Sequence, residues 1–340
     1  MHRFRLFISV AAVAVMLFPI TYGAYAQAAR ELPAKTFVTV QNAPARTPSE
    51  ASIGVPNQII GALKIRATGG DAIISRLVFK TIIDGARPSV PESLENVSLF
   101  DEHGVIVAGP VDAGSGGAII LSDTISIRKG SHTYTVRGRL RPSAVSHGQV
   151  IRLITRPSID WLIYDVKSGR KIIAPPLVVA LSPVSVGMGT ISVYKSSTAV
   201  TSTAHPGTLT HVFAYVILDA TKSFDDLRVT DMQYTFETSQ KSPIGLKNCG
   251  LYDQKTLVTS ILYYPFESQK YTFPFVPTFT VSEKTKKELA LTCDIASEAS
   301  GSYRWSISET DLLTAVSVQS GIDAISTIVP FVGTAIEVTP

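Results

Sequence analysis

The sequence predicts an all-β protein of two tandem β-sandwich domains related by internal duplication. Three observations carry this expectation. Short β-branched and aromatic runs recur along the 340 residues, separated by Gly, Pro, Asn, Asp and Ser, which is the pattern of strands and turns. Long apolar stripes at helical spacing are scarce. The pattern is also written twice, roughly 150 residues apart: Asn96-x-x-Leu99-Phe100-Asp101 returns as Asn248-x-x-Leu251-Tyr252-Asp253, and Asp160-Trp161-Leu162 as Asp311-Leu312-Leu313.

The first residues read as a targeting segment. His2, Arg3 and Arg5 precede an apolar run over 6–20, and Ala24-Tyr25-Ala26 is a small-x-small cleavage site, so 1–26 is expected to be a signal peptide. Left uncut, it would be an N-terminal anchor and the chain's one route to a membrane. Residues 27–36 are small and polar and are expected to form a flexible leader.

The first domain is expected over 37–185. Strand signals lie at 36–40, 61–67, 73–82, 96–100, 105–107, 119–127, 133–140, 150–154, 161–166 and 177–184. The second domain is expected over 186–340 and follows the same order. There, 191–193 corresponds to 38–40, 212–218 to the region of Ile60 and 227–236 to 73–80, and 273–281 with 288–295 match the paired strands ending near Leu140. The best helix candidates are short, at 223–227 and near 309–313. Pro183, Gly187 and Gly189 are expected to loosen the boundary, which is short enough for the sandwiches to touch. The last apparent strand, ending at Val338-Thr339-Pro340, either pairs within its own sandwich or is donated to a neighbour.

Charge is distributed unevenly. Losing Arg3 and Arg5 with the signal peptide lowers the formal charge from +4 to +2, too small an excess to indicate a nucleic-acid partner. Residues 36–185 hold 16 Lys+Arg against 11 Asp+Glu (+5), and 186–340 hold 11 against 15 (−4). Arg128, Arg137, Arg139 and Arg141 in the first copy, and Asp225, Asp226 and Asp231 in the second, are therefore the candidate interface for head-to-tail contact between molecules. Two separately solvated surfaces are the plainer reading.

The two cysteines, Cys249 and Cys293, both fall in the second copy. Alternation places Cys293 on the face of Leu289, Leu291 and Ile295, and Cys249 on that of Leu251, so both thiols should point inward. Val97 and Gly138 hold the matching positions in the first copy, one bulky and one minimal. In an exported chain this pattern favours a Cys249–Cys293 disulfide. The alternative is two buried thiols.

Signatures of catalysis are missing from the sequence. His205 and His211 are six apart across a Pro-Gly turn, with no HxxxH or HExxH pair. Gly114-Ser115-Gly116-Gly117 lacks the lysine and context of a phosphate loop, and reads as a hairpin loop. Asp225-Asp226 with Asp231, and Asp101-Glu102, could offer oxygen ligands to calcium but lack EF-hand spacing. No metal or cofactor is expected. Aromatics crowd the second copy, and Tyr263, Tyr264 and Phe266 form the best exposed patch, suited to sugar stacking or to a protein interface.

The order of a β-run, Asn-x-x-Leu-Phe/Tyr-Asp and a later strand resembles repeat units in exported surface proteins of ultrasmall candidate-phylum bacteria. Here it is carried by Asn96 to Asp101, Lys129 to Leu140, Asn248 to Asp253 and Leu289 to Ile295. The resemblance implies immunoglobulin-like or S-layer-type envelope modules, and it carries no functional residues. The chain departs from wall-anchored surface proteins in having no LPxTG-like signal and no apolar C-terminal tail.

The expectation is thus a secreted or cell-envelope protein, structural or adhesive and not an enzyme. It would act by contact with protein partners or with itself at the cell surface. The second expectation is a carbohydrate- or glycan-binding module using Tyr263, Tyr264 and Phe266. A hydrolase on a β-sandwich frame would need an acid pair or triad assembled only in three dimensions.

Overall fold

Alternating burial sets the layers of the molecule. Along Gly130–Leu140, Tyr134, Val136, Gly138 and Leu140 face inward while Thr135, Arg137 and Arg139 face out. Along Lys286–Ile295, Leu289, Leu291, Cys293 and Ile295 are buried. The computed structural model describes residues 35–84, 92–239 and 245–339. The expected signal peptide, and the leader up to residue 34, lie outside the described residues. Thr36, the last leader residue, is buried and donates a hydrogen bond to Asp165, so it belongs to the fold.

The first copy contains β1 (Phe37–Asn42), β2 (Glu50–Ser52), β3 (Gln58–Thr68), β4 (Ala72–Ile83), β5 (Leu94–Phe100), β6 (Ile106–Val111) and β7 (Ala118–Leu121). It continues with β8 (Ile125–Ile127), β9 (Gly130–Leu140), β10 (Val150–Thr155), the one-turn helix α1 (Pro157–Asp160), β11 (Leu162–Asp165), β12 (Lys171–Ile172), β13 (Val179–Ala180) and β14 (Val184–Gly187). The second copy opens with β15 (Thr190–Lys195), β16 (Thr203–Ala204), β17 (His211–Asp219), β18 (Leu227–Thr238), β19 (Leu246–Asp253) and β20 (Thr256–Leu257). It closes with β21 (Lys270–Val281), β22 (Lys286–Ile295), β23 (Gly301–Ser306), β24 (Leu313–Ser317), β25 (Ile325–Ile328) and β26 (Ile336–Val338).

The duplication extends to the pairing. One sheet runs β1-β3-β9-β5-β6, and the same order recurs as β15-β17-β22-β19-β20, with β25 added parallel to β15. Each facing sheet is built on one long strand. β4 has β10 and β11 on one side and β7 and β8 on the other; β18 has β23 and β24 on one side and β21 on the other. The sheets enclose two hydrophobic cores, one drawn from residues 38–186 and one from 191–338. A fully buried tryptophan anchors each. The Trp161 indole N–H donates to Thr155 Oγ1 at 2.6 Å, and Trp305 packs 4.6 Å from the Phe236 ring. Truncating either to Ala should cost about 3–5 kcal/mol.

Asn96 and Asn248 explain the repeated motif. Both have left-handed backbone (φ 51° and 52°), which Asn tolerates better than most residues. In each copy two residues of one strand then oppose a single residue of the next. Between Glu95↔Arg139 and Ser98↔Arg137, Asn96 and Val97 face Gly138; between Lys247↔Asp294 and Gly250↔Thr292, Asn248 and Cys249 face Cys293. A Cβ on Gly138 would lie 3.2 Å from Val97 Cγ2, so these two residues share one space. The second copy fills it with the Cys249–Cys293 disulfide, fully buried between neighbouring strands of one sheet.

Several expectations are corrected. Neither 223–227 nor 309–313 is helical; the helical turns among the described residues are a 3-10 turn at Pro44–Arg46 and α1, which leads into the repeated Asp160-Trp161-Leu162 segment. Residues 119–127 form two strands, broken at 122–124. The strands around 273–281 and 288–295 do not pair with each other. β21 joins β18 in one sheet, β22 joins β17 and β19 in the other, and β8 and β9 separate in the same way. Gly114-Ser115-Gly116-Gly117 is likewise no hairpin loop, because β6 pairs β5 while β7 pairs β4. Alternation reports which side of a strand is apolar, not which sheet the strand joins. The terminal strand β26 pairs with β23 and β16 of its own sandwich.

The boundary glycines also act differently from expectation. A Cβ on Gly187 would sit 2.0 Å from the Phe224 ring, and one on Gly189 2.3 Å from Ser317 Oγ. They allow close packing rather than looseness. Met188 and Ile322 pack against the first core, and Lys284 caps the splice 3.3 Å from Glu50 and 4.5 Å from the Phe224 ring centroid.

Candidate functional site

The aromatic patch lies on the edge of the sheet that carries the disulfide. After β20 the chain runs back beside β19, bonding Leu262 N–H to Cys249 O and Asn248 N–H to Tyr263 O. Past this point Tyr263, Tyr264 and Phe266 project into solvent at 63%, 57% and 45% exposure. Phe266 N–H donates to the Tyr271 hydroxyl at 3.2 Å, which anchors the far end of the segment.

The candidate charged faces are largely occupied within the chain. Arg139 donates to Gly54 O at 2.7 Å and lies 3.5 Å from Glu95. Arg141 bonds Glu95 at 2.7 Å and also Glu92; these hydrogen bonds, Glu92 first, hold its pKa above the ordinary arginine value. The Arg137 guanidinium lies 4.5 Å from the centre of the Phe100 ring. Arg128 is exposed. Asp225 is 1% exposed, so it is not part of an acidic surface. It accepts the N–H groups of Gln319 and Ser320, and burial raises its pKa. Asp226 accepts the Glu283 N–H, and Asp231 sits at an irregularity of β18, opposite Pro274 and Thr314. Asp101 caps its own turn through the His103 and Val105 N–H groups. Among the described residues, no three His, Cys, Asp or Glu converge to hold a metal. His211 is half-buried against Phe213, and burial lowers its pKa.

A further surface was not identified from sequence. The outer face of β17, β22 and β19 carries a depression of about 760 Å³. Tyr215, Tyr252 and Ala290 line it, together with Lys286, Lys287 and Glu288. Lys286 lies 2.9 Å from Asp219 and 2.9 Å from the Tyr194 hydroxyl; these bonds, that to Tyr194 first, push its pKa up to about 12. Burial opposes the charged form of Asp219, but hydrogen bonds from Thr221, Lys286 and Tyr194 outweigh it and hold the carboxyl well below the usual range. Lys287 bonds Asp253 at 3.0 Å, and Glu288 accepts from Ser196 and from Thr198. Tyr252 stands in the repeated motif, but Tyr215 and Ala290 carry no local signal. Only the register across three strands brings them together.

No family model matches the chain, and no curated relative does. Among solved structures it is similar to the C-terminal domain of the AgI/II polypeptide BspA of Streptococcus agalactiae, at 10% identity over 89% of this chain and 100% of that one, with a TM-score of 0.24. The CupB6 tip adhesin of Pseudomonas aeruginosa matches at 10% identity over 89% and 99%, with a TM-score of 0.23. CfaE, the adhesive subunit of the CFA/I fimbria of enterotoxigenic Escherichia coli, matches at 10% over 88% and 86%, with a TM-score of 0.21. Function is therefore argued from the chain's own surfaces.

Proposed function

We propose that this is an exported protein of the cell surface, structural or adhesive, that works by contact with protein partners or with copies of itself. The observation that carries the proposal is the disulfide-stitched sheet edge bearing Tyr263, Tyr264 and Phe266 in solvent. Disulfides persist where thiols stay oxidised, which favours an extracytoplasmic location. Adjacent exposed aromatics are a common mark of an interaction surface. The two modules are taken as 37–185 and 186–340, spliced at Gly187 to Gly189. Their opposite formal charges, +5 and −4, support head-to-tail association. The internal pairing of Arg139 and Arg141 leaves Arg128 and the neighbouring Lys129 as the freer basic groups.

Sedimentation of residues 27–340 across a salt series tests self-association. Oligomers at low salt that dissociate as salt rises are expected. A monomer at every salt and at high concentration would remove the self-assembly arm. The second reading, a glycan-binding module, is favoured by the exposure of Tyr263 and Tyr264. Loss of glycan affinity on Tyr264→Ala is its expected signature, and an unchanged affinity would count against it.

A further inference from the structure

The depression on the outer face of the second copy has a layout suited to one kind of ligand. Tyr215 of β17 and Tyr252 of β19 both pair with Ala290 of β22. The three form one row across the sheet: large, small, large. Val216, Leu251, Leu289 and Leu291 alternate with them and are buried, so the row faces solvent. Neighbouring strands are about 4.8 Å apart, so the two tyrosines rise from positions about 10 Å apart with only a methyl group between them. Carbon atoms in contact approach to about 3.5–4 Å, so the space between the two strands is wide enough for one saturated six-membered ring, bordered by a tyrosine on either side.

The first copy offers an internal comparison. Its equivalent row is Ala62, Thr135 and Phe100. One wall is missing, and Arg137 covers the remaining ring at 4.5 Å. Duplication has kept the sheet and changed the row. The rim of the second-copy slot limits the ligand further. Lys286 is matched by Asp219, Lys287 by Asp253, and Glu288 is hydrogen-bonded by Ser196 and Thr198; Lys255 also lines the rim, so three lysines balance the three carboxylates Asp219, Asp253 and Glu288. A charged ligand would compete with pairs already made, whereas hydroxyl groups can bond at the rim without breaking them.

We propose that the Tyr215–Ala290–Tyr252 slot binds a neutral pyranose ring of a polysaccharide, stacked between the two tyrosines. The inference does not depend on self-assembly and is separate from the Tyr263–Tyr264–Phe266 edge. The test titrates the mature chain, residues 27–340, with cellohexaose, xylohexaose, mannohexaose and chitohexaose by calorimetry. Binding to at least one is expected, weakened about tenfold or more by Tyr215→Ala and by Tyr252→Ala, and largely retained by the matching Phe variants. Ala290→Leu should block the slot while leaving both tyrosines in place, and Tyr264→Ala should leave this binding unchanged. Thermal unfolding of each variant checks that it is folded. No binding to any of the four, or binding indifferent to both tyrosines, would overturn the proposal. Salt-sensitive oligomers in the sedimentation series would stand or fall separately.

Discussion

Asn96 and Asn248 show how much one residue can decide. Each supplies a left-handed kink, and each kink turns the next side chain, Val97 or Cys249, into the core opposite Gly138 or Cys293. The motif was visible in the sequence as a repeat, and the inward thiols followed from alternation. The kink itself was not visible, because Asn also marks ordinary turns. If the two kinks are equivalent, Val97→Cys combined with Gly138→Cys should oxidise to a second disulfide, read by mass and by loss of titratable thiol; two persistently free thiols would show that the bulges differ. Asp165 sets another residue-scale expectation. Hydrogen bonds from Ser168 and Thr36 pull its pKa down to about 2. A depressed carboxyl stabilises the fold above its unfolded value of 3.8, and that contribution is lost as pH falls toward about 2. Asp165→Asn should therefore lower stability at neutral pH and flatten the acid dependence of thermal unfolding between those values. An unchanged profile would mean that the Thr36–Asp165 tie contributes nothing.

Strands and their edges are the next scale. β21 lies at the edge of its sheet, where an open strand invites pairing with other chains. It carries Pro274 and Pro277, and the 258–260 segment lies along it, with Ser260 N–H bonding Pro274 O and Val276 N–H bonding Val258 O. The apolar alternation of these strands was legible residue by residue. Their assignment to sheets was not, since consecutive strands such as β8 and β9 cross from one layer to the other. The splice between copies gives an element-scale prediction. Gly187→Ala drives a methyl group into the Phe224 ring, so stability should fall by about 1–3 kcal/mol, the usual cost of overpacking. Phe224→Ala in the same chain should recover part of that loss, measured as a double-mutant cycle by chemical denaturation. Simple additivity would show that the contact is not what constrains Gly187.

On the scale of the whole molecule, the two cores are separate while the splice is packed. Residues 38–186 and 191–338 each close their own core, and Met188 and Ile322 reach across into the first. Only the second core is cross-linked. Closing a 44-residue interval contributes about 4 kcal/mol in the chain-entropy model. Reduction should therefore lower the second copy's unfolding temperature by roughly 10 °C and leave the first copy's nearly in place. Calorimetry with and without reductant reads this directly. A single transition that moves as one would instead show the splice coupling both copies into one cooperative unit.

The sequence by itself determined the all-β class, the duplication, the inward faces and the disulfide partners, because each rests on period-2 alternation or on a repeat, both local properties of the chain. Only the tertiary structure decided which strands share a sheet, that Asp225 is buried, that Arg139 and Arg141 are internally paired, and that Tyr215, Ala290 and Tyr252 stand in one row. Those depend on register between strands far apart in the chain, and register is set by packing that no single segment encodes.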